Sequence, residues 1–219
     1  MSNQLSFANY AIVACGTMKP ELDDLKEKGF LDASVILYTT PGLHQDINEL
    51  EKQLIKQVNA AKKYAKKIII VYGGTYCYIN MKDPLRTIDT VIDELREDGL
   101  FLSRINNEKC IDMVTTAEER EIIADGRKKI YWLTPGWLKY RDLVFKGWDK
   151  ATANTFFPAY EDGGLILDSI DFFNKYMEDH PEDILDFSDW TQIPIDGSNV
   201  THDRFKKLLI DAMDENDKI

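Results

Sequence analysis

Four side chains in this sequence have the chemistry to hold a soft metal or to act as nucleophiles or bases: Cys15, His44, Cys77 and Cys110. Thiolate sulfur and neutral imidazole nitrogen are the donors of tetrahedral Cys₃His zinc sites. Three thiolates also suit an iron–sulfur cluster that takes a different fourth ligand. None of the cysteines stands in a C-x-x-C pair, so spacing alone does not join them. Without such a join, a free cysteine is a small buried apolar residue. A lone loop histidine is then a hydrogen-bonded or solvent-facing side chain. Topology has to decide.

The elements that would position these residues follow from hydrophobic patterning. Lys67 to Val71 is a run of β-branched residues ending in Tyr72-Gly73-Gly74, with Cys77 just beyond. A strand of that composition is buried on both faces, as in a parallel sheet. The pattern predicts strands at 10–15, 34–39, 67–73, 100–105 and 129–134. Helical stripes separate them. Asp46 with Glu49 forms a capping box before Ile47, Leu50, Leu54, Val58, Ala61 and Ala65, and Thr116 with Glu119 forms another. Asp83-Pro84 predicts a helix start, and Thr201 a cap for the last helix. Leu138 to Phe145 and Ser169 to Met177 pattern as helices, Asp196-Gly197-Ser198 as a turn, and Asp214 to Ile219 as a frayed tail.

Strands alternating with helices imply an α/β fold. The expectation is a single domain over residues 1–219, with a mostly parallel central sheet of about five strands. Helices cover both faces, and a helical C-terminal continuation packs on the sheet. Right-handed crossovers then deliver the exit loops to one edge, where α/β proteins bind ligands. Cys15, His44, Cys77 and Cys110 each lie in such a loop. Together they form the candidate metal set, for zinc or an iron–sulfur cluster. The Cys15 thiol, at a strand-to-helix turn, would also feel the positive end of a helix, which lowers its pKa and favours thiolate. Gly16, Gly73 and Gly74 allow close backbone approach to a bound group. At least one of Gly73 and Gly74 is expected either to take a positive φ or to admit such an approach. Tyr72 and Trp137 read first as core residues and otherwise as pocket lining.

Absences narrow the field. No G-x-G-x-x-G and no G-x-x-x-x-G-K-[ST] occur, so neither NAD nor ATP is indicated. G-x-S-x-G, H-E-x-x-H and D-x-H-x-x-G are missing too. The net charge of -11 argues against a nucleic-acid partner. No window approaches the ~18 apolar residues of a membrane span, and Met1-Ser2-Asn3-Gln4 does not open a signal peptide. An odd count of three cysteines suggests no disulfide framework, so a cytoplasmic location is expected.

These residues also carry a resemblance. Ala14-Cys15, Gly42-Leu43-His44, Tyr72-Gly73 with Cys77, Cys110-Ile111-Asp112 and Leu133-Thr134-Pro135-Gly136-Trp137 occur in this order. Over residues 8–210 the chain resembles the domain of unknown function 1638 family. That resemblance implies a setting in corrinoid-dependent methyl transfer and one-carbon metabolism, with a methyltransferase or corrinoid protein as partner. Two functions compete: a thiolate-based metal or iron–sulfur protein acting in that chemistry, and a non-catalytic accessory protein with structural cysteines.

Overall fold

The computed structural model describes residues 5–217. Met1 to Gln4, expected not to open a signal peptide, and Lys218 and Ile219 of the expected frayed tail lie outside them. The first half runs β1 (Tyr10–Ala14), α1 (Lys19–Glu27), β2 (Val35–Tyr38), α2 (Ile47–Ala61), β3 (Lys67–Val71), α3 (Ile88–Glu94), β4 (Phe101–Arg104) and α4 (Ala117–Ala124). The second half runs β5 (Tyr131–Leu133), α5 (Pro135–Lys139), α6 (Arg141–Val144), α7 (Lys150–Phe156), β6 (Gly164–Asp168), α8 (Phe172–Asp179), α9 (Pro181–Thr191), β7 (Ile195–Asn199) and α10 (Asp203–Asp217). Short 3₁₀ turns at Gly16–Met18, Leu43–Gln45 and Cys110–Met113 follow β1, β2 and β4.

The α/β class with parallel pairing holds, but the strands divide into two sheets. One has the order β2-β1-β3-β4 and the other β5-β6-β7. Every pairing is parallel; Ile12 lies opposite Ile36 on one side and Ile69 on the other. β1 and β3 carry the apolar, β-branched composition of strands covered on both faces, and Ile12, Val13, Ile68, Ile69 and Ile70 are fully buried. Leu50, Leu54, Val58 and Ala61 of α2 cover one face of the first sheet. Met18, Leu22 and Leu25 with Phe205 and Leu209 of α10 cover the other. At roughly 1.5–3 kcal/mol for each large side chain withdrawn from water, these stripes hold the layers together.

Three local expectations change. The continuation after Trp137 is not helical throughout: it supplies β6 and β7. Residues Asp196 to Ser198 lie within β7, not in a turn. Gly197 makes this possible, because the Phe173 ring packs where its side chain would stand, 2.5 Å from an added Cβ. The helix expected at Asp83-Pro84 begins instead at Ile88, capped by Thr87 with Thr90. Arg86 is held by Glu51 and Glu94, at 2.6 and 2.7 Å, which keeps the preceding segment a loop. The Asp46 and Thr116 caps and the Thr201 hydroxyl at the start of α10 stand where patterning puts them.

The exit loops of one sheet touch those of the other. A Cβ on Gly136, after β5, would overlap the Thr17 carbonyl, after β1. Gly42, after β2, takes φ 81° and sits against Val144, 2.6 Å from a would-be Cβ. Gln45 donates to the Val144 carbonyl and accepts from the Trp148 indole N–H at 3.2 Å. The carboxyl edges of two parallel sheets are thus brought together, and the cysteines lie at that junction.

Candidate functional site

Cys110 opens the 3₁₀ turn after β4. The Cys77 thiol, the Trp137 side chain and the Ile111 backbone N–H lie close enough to its sulfur to favour the thiolate. Burial alone penalises a thiolate. Here the donors, Cys77 foremost, outweigh burial and hold the Cys110 pKa below that of an ordinary thiol. Its neighbours go the other way. The Cys110 side chain, followed by burial, pushes the Cys77 pKa well up. Burial pushes Cys15 up to about 11, although Thr17 Oγ1 lies 3.0 Å from its sulfur. These surroundings favour ionisation at Cys110 over Cys15 and Cys77.

Backbone lacing holds Cys77 and Cys110 together. Gly74 N–H donates to the Asn107 carbonyl at 2.8 Å, and Thr75 N–H to Glu108 Oε2 at 3.1 Å. Arg104 fastens the same loops, donating to the Tyr72 carbonyl at 3.3 Å and the Asn107 carbonyl at 3.0 Å. Gly73 and Gly74 both lie outside the positive-φ region. What requires glycine is close approach within the protein: a Cβ on Gly73 would strike Cys77 Sγ, and one on Gly74 would lie 3.0 Å from Glu108 Oε2. At Gly16 a Cβ would strike the Thr39 carbonyl. Tyr72 is buried, with its hydroxyl bonded to the Thr39 hydroxyl.

Trp137 reaches Cys110 from the second sheet, on α5. Its other neighbours are aromatic. His44 stacks on it at 5.3 Å between ring centres, and Tyr131 meets it edge-on at 6.2 Å. Burial lowers the His44 pKa, leaving a neutral ring. Phe145 contacts Trp137 at 5.8 Å and lines a cleft of about 390 Å³ with Arg141, Lys146, Trp148 and Trp190. No cysteine lines that cleft. Trp137→Phe keeps the ring and removes the N–H. A hydrogen bond to a charged group contributes about 1.5–3 kcal/mol. The pH midpoint of Cys110 alkylation should therefore rise by about one unit or more, as read by mass spectrometry at a series of pH values.

The metal reading fails on donor arrangement. Among the described residues, no group of three or more His, Cys, Asp or Glu side chains is placed to hold a metal ion. Cys15 is engaged by Thr17; Cys77 and Cys110 by each other; and His44 by the face of Trp137. Neither zinc nor an iron–sulfur cluster fits this donor set, and the thiolate-metal function expected for Cys15, His44, Cys77 and Cys110 is withdrawn.

Glu21 belongs to no sequence motif. It sits in the first turn of α1, fully buried, and neither carboxyl oxygen has a hydrogen-bond partner. Burial, then the nearby charges of Asp168 and Cys110, push its pKa up to about 8, so it holds a proton at neutral pH. Two more orphaned hydroxyls lie at the ends of the neighbouring strands: Thr134 Oγ1 after β5 and Ser169 Oγ after β6. Asp168, also buried, accepts from the Ile170 and Phe173 backbone N–H groups at 3.0 and 2.7 Å. A signal for Glu21 existed. It lies three residues after Met18 and four before Leu25, on the buried stripe of its own helix.

No curated protein and no solved structure matches this chain. A family model does match, over residues 38–209: protein of unknown function (DUF1638). That span takes in His44, Cys77, Cys110 and Trp137 and covers well over half of the chain, which therefore belongs to the DUF1638 family.

Proposed function

We propose that the protein is a thiol-dependent enzyme that transfers an electrophilic carbon group of a small molecule through Cys110. The observation that carries this reading is the set of donors converging on the Cys110 sulfur from Cys77, Trp137 and Ile111. A nucleophilic thiol needs its thiolate form, and donors aimed at sulfur supply it. In the proposed step the Cys110 sulfur attacks the carbon of the group, and the bond to the leaving group breaks. Glu21, which holds a proton and whose charge couples to Cys110 through space, is the candidate source of the proton for the departing atom. The rings of Trp137, His44 stacked on it and Tyr131 edge-on to it give the small molecule an apolar wall. Three free thiols accord with a reducing cytoplasm as the working compartment. Among the described residues no helix is long and apolar enough to cross a membrane. A methyltransferase or corrinoid protein as partner belongs to this proposal through the family resemblance alone.

Competitive alkylation tests it without a known substrate. The native protein is exposed to limiting iodoacetamide near neutral pH, and the three cysteines are quantified by mass spectrometry. Cys110 is expected to be labelled at least tenfold faster than Cys15 and Cys77. Equal rates, or Cys110 slowest, would overturn the proposal.

A further inference from the structure

We propose that Cys77 and Cys110 are a redox pair, closing reversibly into a disulfide that switches the site off. This rests on the reading of Cys110 as the reactive sulfur, and adds the regulation of that site by a hydroperoxide.

Position carries the argument. A Cβ built on Gly73 would strike Cys77 Sγ and lie 3.1 Å from the carbonyl carbon of Lys109, so the Cys77 sulfur stands against the residue that precedes Cys110, and the two thiols act on each other electrostatically. The two loops that bear them run side by side. Their bonds from Gly74 to Asn107 and from Thr75 to Glu108 are joined by one from Tyr76 N–H to the Glu108 carbonyl at 3.4 Å. Lys109 adds a cation–π contact, 4.4 Å from the Tyr76 ring centre. A disulfide needs Cα atoms roughly 4.4–6.8 Å apart and sulfurs about 2.05 Å apart. Loops laced this way run the two cysteines side by side, and the bridge requires their sulfurs to close to that distance. Cys15 is placed differently: its sulfur lies 3.0 Å from the Thr17 hydroxyl. Each of the three cysteines is a partly exposed residue.

The chemistry balances with one hydroperoxide consumed. The Cys110 thiolate attacks the terminal peroxide oxygen, an S–O bond forms, and the O–O bond breaks. The departing oxygen takes a proton and leaves as water or alcohol, with sulfur oxidised to sulfenic acid and the peroxide reduced. The Cys77 sulfur then attacks Cys110, the S–O bond breaks, and the oxygen leaves as water with the Cys77 proton. The product is a disulfide with two thiols consumed, and a small-molecule dithiol restores it. Because Cys110 loses its thiolate, the proposed transfer stops. Cys77 thus both positions the reduced sulfur and resolves the oxidised one.

The test uses the full chain. Purified reduced protein is treated with a small excess of hydrogen peroxide, denatured in alkylating reagent, digested and mapped by mass spectrometry. The expected result is loss of two of the three alkylatable thiols, a Cys77–Cys110 linked peptide, and full recovery with dithiothreitol. In Cys77→Ser the Cys110 sulfenic acid should persist and be trapped by dimedone. Three results would each overturn the pair: a bridge involving Cys15, irreversible oxidation of Cys110 with Cys77 still free, or three intact thiols. The alkylation rate of Cys110 in the untreated protein separates the two ideas. Fast labelling with no bridge sinks the redox pair alone, and slow labelling sinks the nucleophile on which it rests.

Discussion

Glu21→Gln is expected to stabilise the protein by roughly 3–5 kcal/mol at pH 8 while changing little near pH 4.5. Glu21 is fully buried with no partner for either carboxyl oxygen, and its pKa is pushed from 4.5 to about 8, first by burial. The folded state therefore keeps the proton while the unfolded state gives it up between those values. Below about 4.5 both states hold the proton and the group costs nothing. As pH rises towards 8 the unfolded chain ionises alone, and stability falls by about 1.4 kcal/mol per unit. Above the folded pKa the loss is complete and levels off. Glutamine imitates the neutral carboxyl and never ionises, so the slope vanishes. Urea unfolding of both proteins at pH 5 and pH 8 checks it: the gap should widen with pH. A gap of constant size would mean that Glu21 is solvated or neutralised by a cation.

A second large effect is expected at Gly136. An added Cβ would overlap the Thr17 carbonyl and press on the Thr17 Cα at 3.1 Å. Both are backbone atoms, held by the 3₁₀ turn at Gly16–Met18, and cannot rotate aside as a side chain would. Gly136→Val should therefore cost about 3 kcal/mol or more, at the upper end of overpacking effects. It should also lift α5 and withdraw the Trp137 N–H from Cys110, slowing Cys110 alkylation. Gly147→Ala is the control. Gly147 has φ 85° but nothing within 4 Å of an added Cβ, so only backbone strain of about 1 kcal/mol is added. Thermal unfolding of the two variants should rank Gly136→Val far below Gly147→Ala; equal losses would remove the close inter-sheet contact from the account.

The first sheet was legible because β1 and β3 announce themselves by composition, and α2 and α4 by their caps and stripes. β6 was not. Gly164-Leu165-Ile166-Leu167-Asp168 is short, and its continuous apolar run fits a buried helix turn as well as a buried strand. β7 was hidden by Asp196-Gly197-Ser198, whose turn-forming residue types are tolerated at a sheet edge with Phe173 filling the glycine gap. The division into two sheets depends on long-range pairing, which local pattern does not encode. At the site, the exit loops bearing Cys15, His44, Cys77 and Cys110 could be inferred from topology, but the bonding of their side chains could not. Motif logic counted four donors for a metal. The folded chain instead engages Cys15 with the Thr17 hydroxyl, His44 with an indole face, and Cys77 with Cys110. Glu21 was overlooked because a carboxyl in an apolar stripe belongs to no motif.

The central claim is that Cys110 carries a thiolate that its neighbours sustain. Its most direct test is a spectroscopic titration of the thiolate ultraviolet absorbance in the native protein, alongside Cys110→Ser. The account predicts one thiolate ionising below the ~8.5 of a free cysteine, absent from Cys110→Ser, with Cys15 and Cys77 silent until well above that pH. A native protein with no thiolate below pH 8.5, or one whose low-pH signal survives Cys110→Ser, would contradict it.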